Sequence, residues 1–321
     1  MKGKYEVIVE SVRLQYKFTI ERNITLLQGD SATGKTTLID MISQFETDGE
    51  DSGIKVICRK NCTVLTNRDW KERLKKINDS IVFIDEGASF VTSTDFAKTI
   101  MKTDNYYVIA TRAKLSNLPY SVREIYQITN KTSKKINKYQ KTKRLYSGFK
   151  QINKLEISEI PKPDFVIVED SNSGFEFFKS FCDEYKIPCI SAKGKSNVLQ
   201  CVLDYKEKSI LVVADGAAFG PEIEKLVMLQ RTRDIILFLP ESFEWLVLKS
   251  DLIEGVKSIL KNPSEYIECK EFFSWERFFT KILVELTSKS YLQYNKNTLN
   301  PVYLQENEKK HIINSMPTIH W

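Results

Sequence analysis

Three stretches carry residue types and spacings able to do chemistry. The first is "GDSATGKT", Gly29 to Thr36, which fits GxxxxGK[ST] at every fixed position. It lies between an apolar run, "NITLLQG", and an apolar helical pattern that starts near Lys35. Glycines let backbone N–H groups curl around phosphate, and a helix N-terminus adds partial positive charge. The pattern therefore predicts a triphosphate cradle made of Gly29, Asp30, Ser31, Ala32, Thr33, Gly34, Lys35, Thr36 and Thr37. Lys35 would reach the β and γ phosphates, and the Thr36 hydroxyl would ligate Mg²⁺.

The second stretch is "SIVFIDEG". A buried strand ending in two acids needs a reason, because an uncompensated buried carboxylate is costly. A metal supplies one: Asp85 would hold the water shell of Mg²⁺, and Glu86 beside it would polarise an attacking water. Thr111 and Arg112 close the next apolar strand, "YYVIATR", where they would either sense the γ-phosphate or serve as structural strand ends. ATP with Mg²⁺ is the expected ligand. A GTPase reading is weaker, since no DxxG follows Asp85 and "NKTS" has Ser133 where guanine recognition needs an aspartate. A small-molecule kinase would need an arginine-bearing lid, and Arg59, Arg68 and Arg73 form no such pattern.

The third stretch lies in the second half. Residues 164–239 alternate strand and helix, with Glu169 ending the first strand and Asp215 the third. In a parallel sheet both fall on the carboxyl edge, where ligands bind. Carboxylates converging there could hold a second Mg²⁺ or Mn²⁺.

The elements that must position these residues divide the chain in two. Residues 1–150 read as two opening strands, the loop strand and its helix, then alternating helices and apolar strands. Such runs indicate a parallel sheet covered on both faces. Residues 151–321 form a second α/β series, and its tail beyond about 264 is mainly helical and aromatic-rich. A stiff linker at about 155–163 carries Pro161 and Pro163.

The Asp85–Glu86 pair, the strand ending in a small polar residue and the antiparallel strands before the loop resemble the ABC-type ATPase core, including its RecF-like and OLD-like members. The chain lacks an LSGGQ-like signature, a Q-loop and a helical insertion. "VEDSNSGFEFF", "SAKGKSNVL" and "VVADGAAFG" resemble the three blocks of Toprim domains, and "PESFEWLVL" matches the glutamate of their effector branch. That resemblance implies Glu169, Asp215 and Glu244 as metal ligands or acid/base groups, with Lys195 facing phosphate. The family's second aspartate is Ala217 here, and its usual glycine is Asp170, a carboxylate that could take the missing one's place. The whole arrangement resembles compact ATPase–Toprim proteins of bacterial phage defence and mobile elements. It implies an ATPase that controls a nucleic-acid-acting domain; the alternative is a nucleotide-gated protein-interaction module with a degenerate Toprim-like site.

Charge and composition bear on partners. Of the 48 Lys+Arg, 27 lie in residues 1–150 against 17 of the 42 Asp+Glu. The excess sits largely in "NKTSKKINKYQKTKR", residues 130–144, where Ile136 and Tyr139 interrupt polar residues as in an exposed hairpin. The segment is either a solvated face or a contact to the backbone of DNA or RNA, where clustered cations release counterions. The six cysteines are expected to be buried thiols, not zinc ligands. No apolar run approaches the ~18 residues that span a bilayer, and the N-terminus reads as a strand, not a signal peptide. A cytoplasmic chain that does not engage membranes is expected, and oligomers are left open.

Overall fold

The computed structural model describes residues 1–30, 33–131, 144–151, 159–206 and 209–319. They form two compact units. The first comprises residues 1–120, 124–152 and 264–273, and the second 121–123, 153–263 and 274–321. One piece of the expected tail, residues 264–273, thus belongs with the first unit.

The first unit is built on β1 (Tyr5–Glu10), β2 (Leu14–Ile20), β3 (Ile24–Leu27), β4 (Lys55–Ile57), β5 (Asn61–Val64), β6 (Ser80–Ile84), β7 (Tyr106–Ala110), β8 (Ile125–Lys131) and β9 (Arg144–Gln151). Helices α1 (Lys35–Asp48), α2 (Trp70–Leu74) and α3 (Thr94–Ile100) accompany them. The sheet order is β4-β1-β2-β9-β8-β3-β7-β6-β5. From β8 to β5 all neighbours are parallel, and every residue of β3, β6 and β7 is buried. The sheet is mixed, because β1 runs antiparallel to β2 and β4, and β9 antiparallel to β8. The basic segment joins β8 to β9; its residues 132–143 lie outside the described residues.

Strands β4 and β5 stand at opposite ends of this sheet, yet only three residues separate them. Nine strands laid flat would put these ends about 38 Å apart. The link from Ile57 to Asn61 reaches about 14 Å at most. The sheet must therefore curl. Helix α1 fills the curl: its Leu38, Ile39, Met41 and Ile42 share one apolar cluster with Val7, Val9 and Phe18 from one flank and Val64 and Phe83 from the other. Burying each such side chain contributes about 1.5–3 kcal/mol, which anchors the helix that follows the phosphate loop.

The second unit holds β10 (Glu159–Ile160), β11 (Phe165–Val168), β12 (Cys189–Ser191), β13 (Ser209–Val213), β14 (Asp234–Phe238) and β15 (Thr318–Ile319). Its helices are α4 (Ser173–Glu184), α5 (Lys195–Asp204), α6 (Gly220–Leu229), α7 (Phe243–Lys249), α8 (Lys257–Lys261), α9 (Trp275–Thr287) and α10 (Glu306–Asn314). Four strands form an all-parallel sheet in the order β12-β11-β13-β14, with a helix after each strand; β10 pairs with β15 in a separate parallel ribbon. Strand order reverses between β11 and β13, which puts a crevice at their carboxyl ends. No helix among the described residues is long and apolar enough to cross a membrane.

Candidate functional site

The loop after β3 is shaped by two glycines in left-handed backbone, Gly29 at φ +123° and Gly34 at φ +94°. A Cβ at Gly29 would also come within 3.1 Å of the Gln127 side chain. Lys35 folds back into the loop and is only 4 % exposed. Its Nζ donates to the carbonyls of Gly29 (2.8 Å) and Asp30 (2.9 Å) and to Thr33 Oγ1 (3.2 Å), while Thr33 Oγ1 donates to the Asp30 carbonyl. Among the described residues no side chain caps the start of α1, and its first turn carries no acid. A 14-residue helix thus presents unshielded N–H groups and a buried ammonium at one point. That is a seat for an anion.

The second stretch reaches the same point. Strand β6 delivers Asp85 at its carboxyl end, where Asp85 Oδ1 accepts a hydrogen bond from Thr36 Oγ1 at 3.3 Å. A hydroxyl and a carboxylate brought together from 49 residues apart fit the hard oxygen donors that Mg²⁺ prefers. Glu86 forms an ion pair with Arg112, Nε to Oε1 at 2.5 Å. Thr111 is buried, and its hydroxyl exchanges hydrogen bonds with the N–H and C=O of Ala113. Thr36, Thr37 and Asp30 are exposed, and Ser31 and Ala32 lie outside the described residues.

Two supports of the loop escaped the sequence. Tyr16 on β2 is 2 % exposed and donates its phenol to the Gly34 carbonyl at 2.9 Å. Gln28 N–H donates to the Tyr126 carbonyl at 2.8 Å, tying the loop's base to β8, from which Gln127 packs against Gly29. Both come from strands that reach the loop only once the sheet has formed.

In the second unit, Glu169 and Asp215 meet at the crevice: the Asp215 N–H donates to Glu169 Oε2 at 3.0 Å. Burial pushes the Glu169 carboxyl up to about 7, helped by the charges of Glu276 and Asp170 and opposed by Lys195. Asp215 is raised well above its ordinary range by burial, then by Glu276, Glu169 and Glu244. Glu244 is 2 % exposed and accepts from the Tyr294 phenol at 3.0 Å. Lys195 donates to the Ala218 carbonyl at 3.0 Å. Asp170 Oδ1 accepts the N–H groups of Asn172 and Phe175, so this oxygen caps α4. The turn after β13 is fixed by close backbone approach: a Cβ at Gly216 would meet the Leu239 carbonyl oxygen at 2.7 Å.

Two side chains from the tail complete this edge and were not foreseen. Glu276 opens α9, and Lys296 follows it in a loop with its Nζ 2.5 Å from Glu276 Oε1 and 3.8 Å from Glu244 Oε1. Burial would lower the Lys296 ammonium, but the surrounding carboxylates of Glu244 and Glu276 raise it on balance.

Among the described residues, one triad of acidic, thiol or imidazole groups has all its ligand atoms within 4.8 Å: Asp104, Glu268 and Cys269 in the first unit. There the Met1 amine bonds both carboxylates, and Cys269 Sγ lies 3.3 Å from Asp104 Oδ1. All six cysteines are free thiols. No protein-family model, curated protein or solved structure matches the chain.

Proposed function

We propose that this chain is a Mg²⁺-dependent ATPase whose nucleotide state controls the second unit, a Toprim-like domain that acts on nucleic acid, in the setting of phage defence. The observation that carries the reading is the Thr36–Asp85 hydrogen bond beside the buried Lys35 ammonium, at the edge where α1 begins. Mg²⁺ held by Thr36 and Asp85 would supply positive charge against the phosphate oxygens. Lys35 would stabilise charge on the β and γ phosphates, exchanging its loop carbonyls for them. Glu86 would orient the attacking water once Arg112 turns from it to the γ-phosphate. In the second unit, Glu169, Asp215 and Glu244 are the acidic groups, and Lys195 is the cation for a phosphate. The basic segment 130–144 is the candidate contact to a nucleic-acid backbone.

Phosphate release under saturating ATP tests the first step. Lys35→Ala and Glu86→Gln should each lower turnover by at least about a hundredfold. Unchanged turnover in Lys35→Ala refutes the assignment.

A second reading, a nucleotide-gated protein-interaction module, is favoured by two observations. Ala217 stands where a second acid would, buried at 3 % exposure, and Asp170 spends an oxygen on capping. Plasmid nicking in Mg²⁺ or Mn²⁺ that disappears in Glu169→Ala decides for the nuclease. Nicking absent across both metals decides for the module.

A further inference from the structure

The acidic edge of the second unit already contains a cation. Glu169 and Asp215 meet there through the Asp215 N–H, and Lys296 Nζ pairs with Glu276 and Glu244. Carboxylates gathered in a partly dry crevice must be protonated or matched by a cation. Lys296 matches two of them directly, at 2.5 Å and 3.8 Å.

Its placement is built, because the segment that carries it is pinned along its length. The Tyr294 N–H donates to Thr287 Oγ1 (2.9 Å) and its phenol to Glu244 (3.0 Å). Ser173 Oγ donates to the Asn295 carbonyl (2.6 Å), and the Ser173 N–H to the Lys296 carbonyl (3.2 Å). The Leu299 N–H donates to Glu176 Oε2 at 2.6 Å. Residues 294–299 thus form a strap across the first turn of α4, the helix that leaves β11 just beyond Glu169 and Asp170.

We infer that Lys296 is a tethered counter-ion that blocks this edge, so that the edge accepts a divalent or trivalent metal ion only when that ammonium is withdrawn. An ammonium and a hard metal ion compete for the same carboxylate oxygens, and the tether holds the ammonium at high effective concentration. The inference rests on the strap and the acids alone. It stands apart from the ATPase reading, since its test contains no nucleotide.

The test is a terbium titration of the full chain without nucleotide, read by tyrosine-sensitised emission, for which Tyr294 beside Glu244 is the local donor. Wild type and Lys296→Arg should give the same titration, and adding Glu276→Gln to wild type should leave it unchanged. Lys296→Met, which keeps the side chain's bulk, should gain a saturable site at least about tenfold tighter than any in wild type, lost again in Lys296→Met/Glu276→Gln. Identical titrations for wild type and Lys296→Met overturn the inference, as does a gained site that survives Glu276→Gln.

Discussion

Lys35 at the crevice of the first unit and Lys296 at that of the second are treated in opposite ways. Lys35 is buried among two carbonyls and a hydroxyl, all neutral, so its charge is held but not cancelled. Lys296 is more open, at 38 % side-chain exposure, and its partners are carboxylates. The first arrangement is ready for an anion. The second is already neutralised by its own tail. What separates a poised site from an occupied one is therefore the charge of the partners, not the presence of the lysine.

The largest effect expected concerns how rigidly each edge is built. At Gly216 a methyl group would meet two backbone carbonyls, at 2.7 Å and 2.9 Å, that cannot step aside. Gly216→Ala should cost the second unit about 2–3 kcal/mol in a urea titration. At Gly29 the facing atoms belong to the Gln127 side chain, which can move. A Gly216→Ala protein as stable as wild type would break the view that the second crevice is fixed by its backbone.

Paired lysine substitutions sharpen the comparison. Lys296→Met strips a cation from the buried Glu244 and should lower stability by about 1–2 kcal/mol, after allowance for the lysine's partial exposure. Lys35→Met removes a buried charge whose hydrogen-bond partners among the described residues are all neutral, so stability should hold or rise by up to about 1 kcal/mol. Equal destabilisation by both variants would mean that the two lysines do the same structural work.

Protonation separates the units next. Glu169 carries a folded-state value of about 7 against an ordinary 4.5, so between these values the folded chain binds more protons than the unfolded one. Its stabilising contribution is complete below pH 4.5 and is lost as pH rises through 7. In EDTA, the urea midpoint should fall between pH 5 and pH 8 by the equivalent of about 1–2 kcal/mol, once solvent screening is allowed for. Glu169→Gln should flatten that slope, and an unchanged slope in the variant would remove Glu169 as its source.

The smallest effect tests the loop's side support. Tyr16→Phe deletes the bond to the Gly34 carbonyl, worth about 1 kcal/mol. Nucleotide affinity should weaken about fivefold, with stability of the second unit untouched. Unaltered affinity would show that the loop keeps its shape without the phenol.

The two sites also differ in how far they could be read from the chain itself. Gly29 to Thr36 is one contiguous segment whose strand, loop and helix are local, and Asp85 closes a run of four apolar residues. Both are visible as patterns. Strand β4 has three residues and pairs with β1 across the sheet, so no periodicity announces it. Tyr16 reaches Gly34 only because β2 joins the same sheet as β3. Lys296 and Tyr294 meet Glu244 from about fifty residues away, in a tail whose loops carry no motif. Residue type gave no signal there, because a lysine in a polar loop is ordinarily a solvated one. Glu169 and Asp215 were legible as strand ends, but whether an ion or a side chain would neutralise them depended on where the tail docks.

The central claim is that the neutral cradle around Lys35 seats a nucleoside triphosphate. Calorimetric titration of the full chain with a slowly hydrolysed ATP analogue and Mg²⁺ tests it most directly. The account predicts one analogue bound per chain, binding abolished by Lys35→Ala and unchanged by Lys296→Met. A wild-type chain that takes up no analogue, or a Lys35→Ala chain that binds it as tightly as wild type, would contradict it.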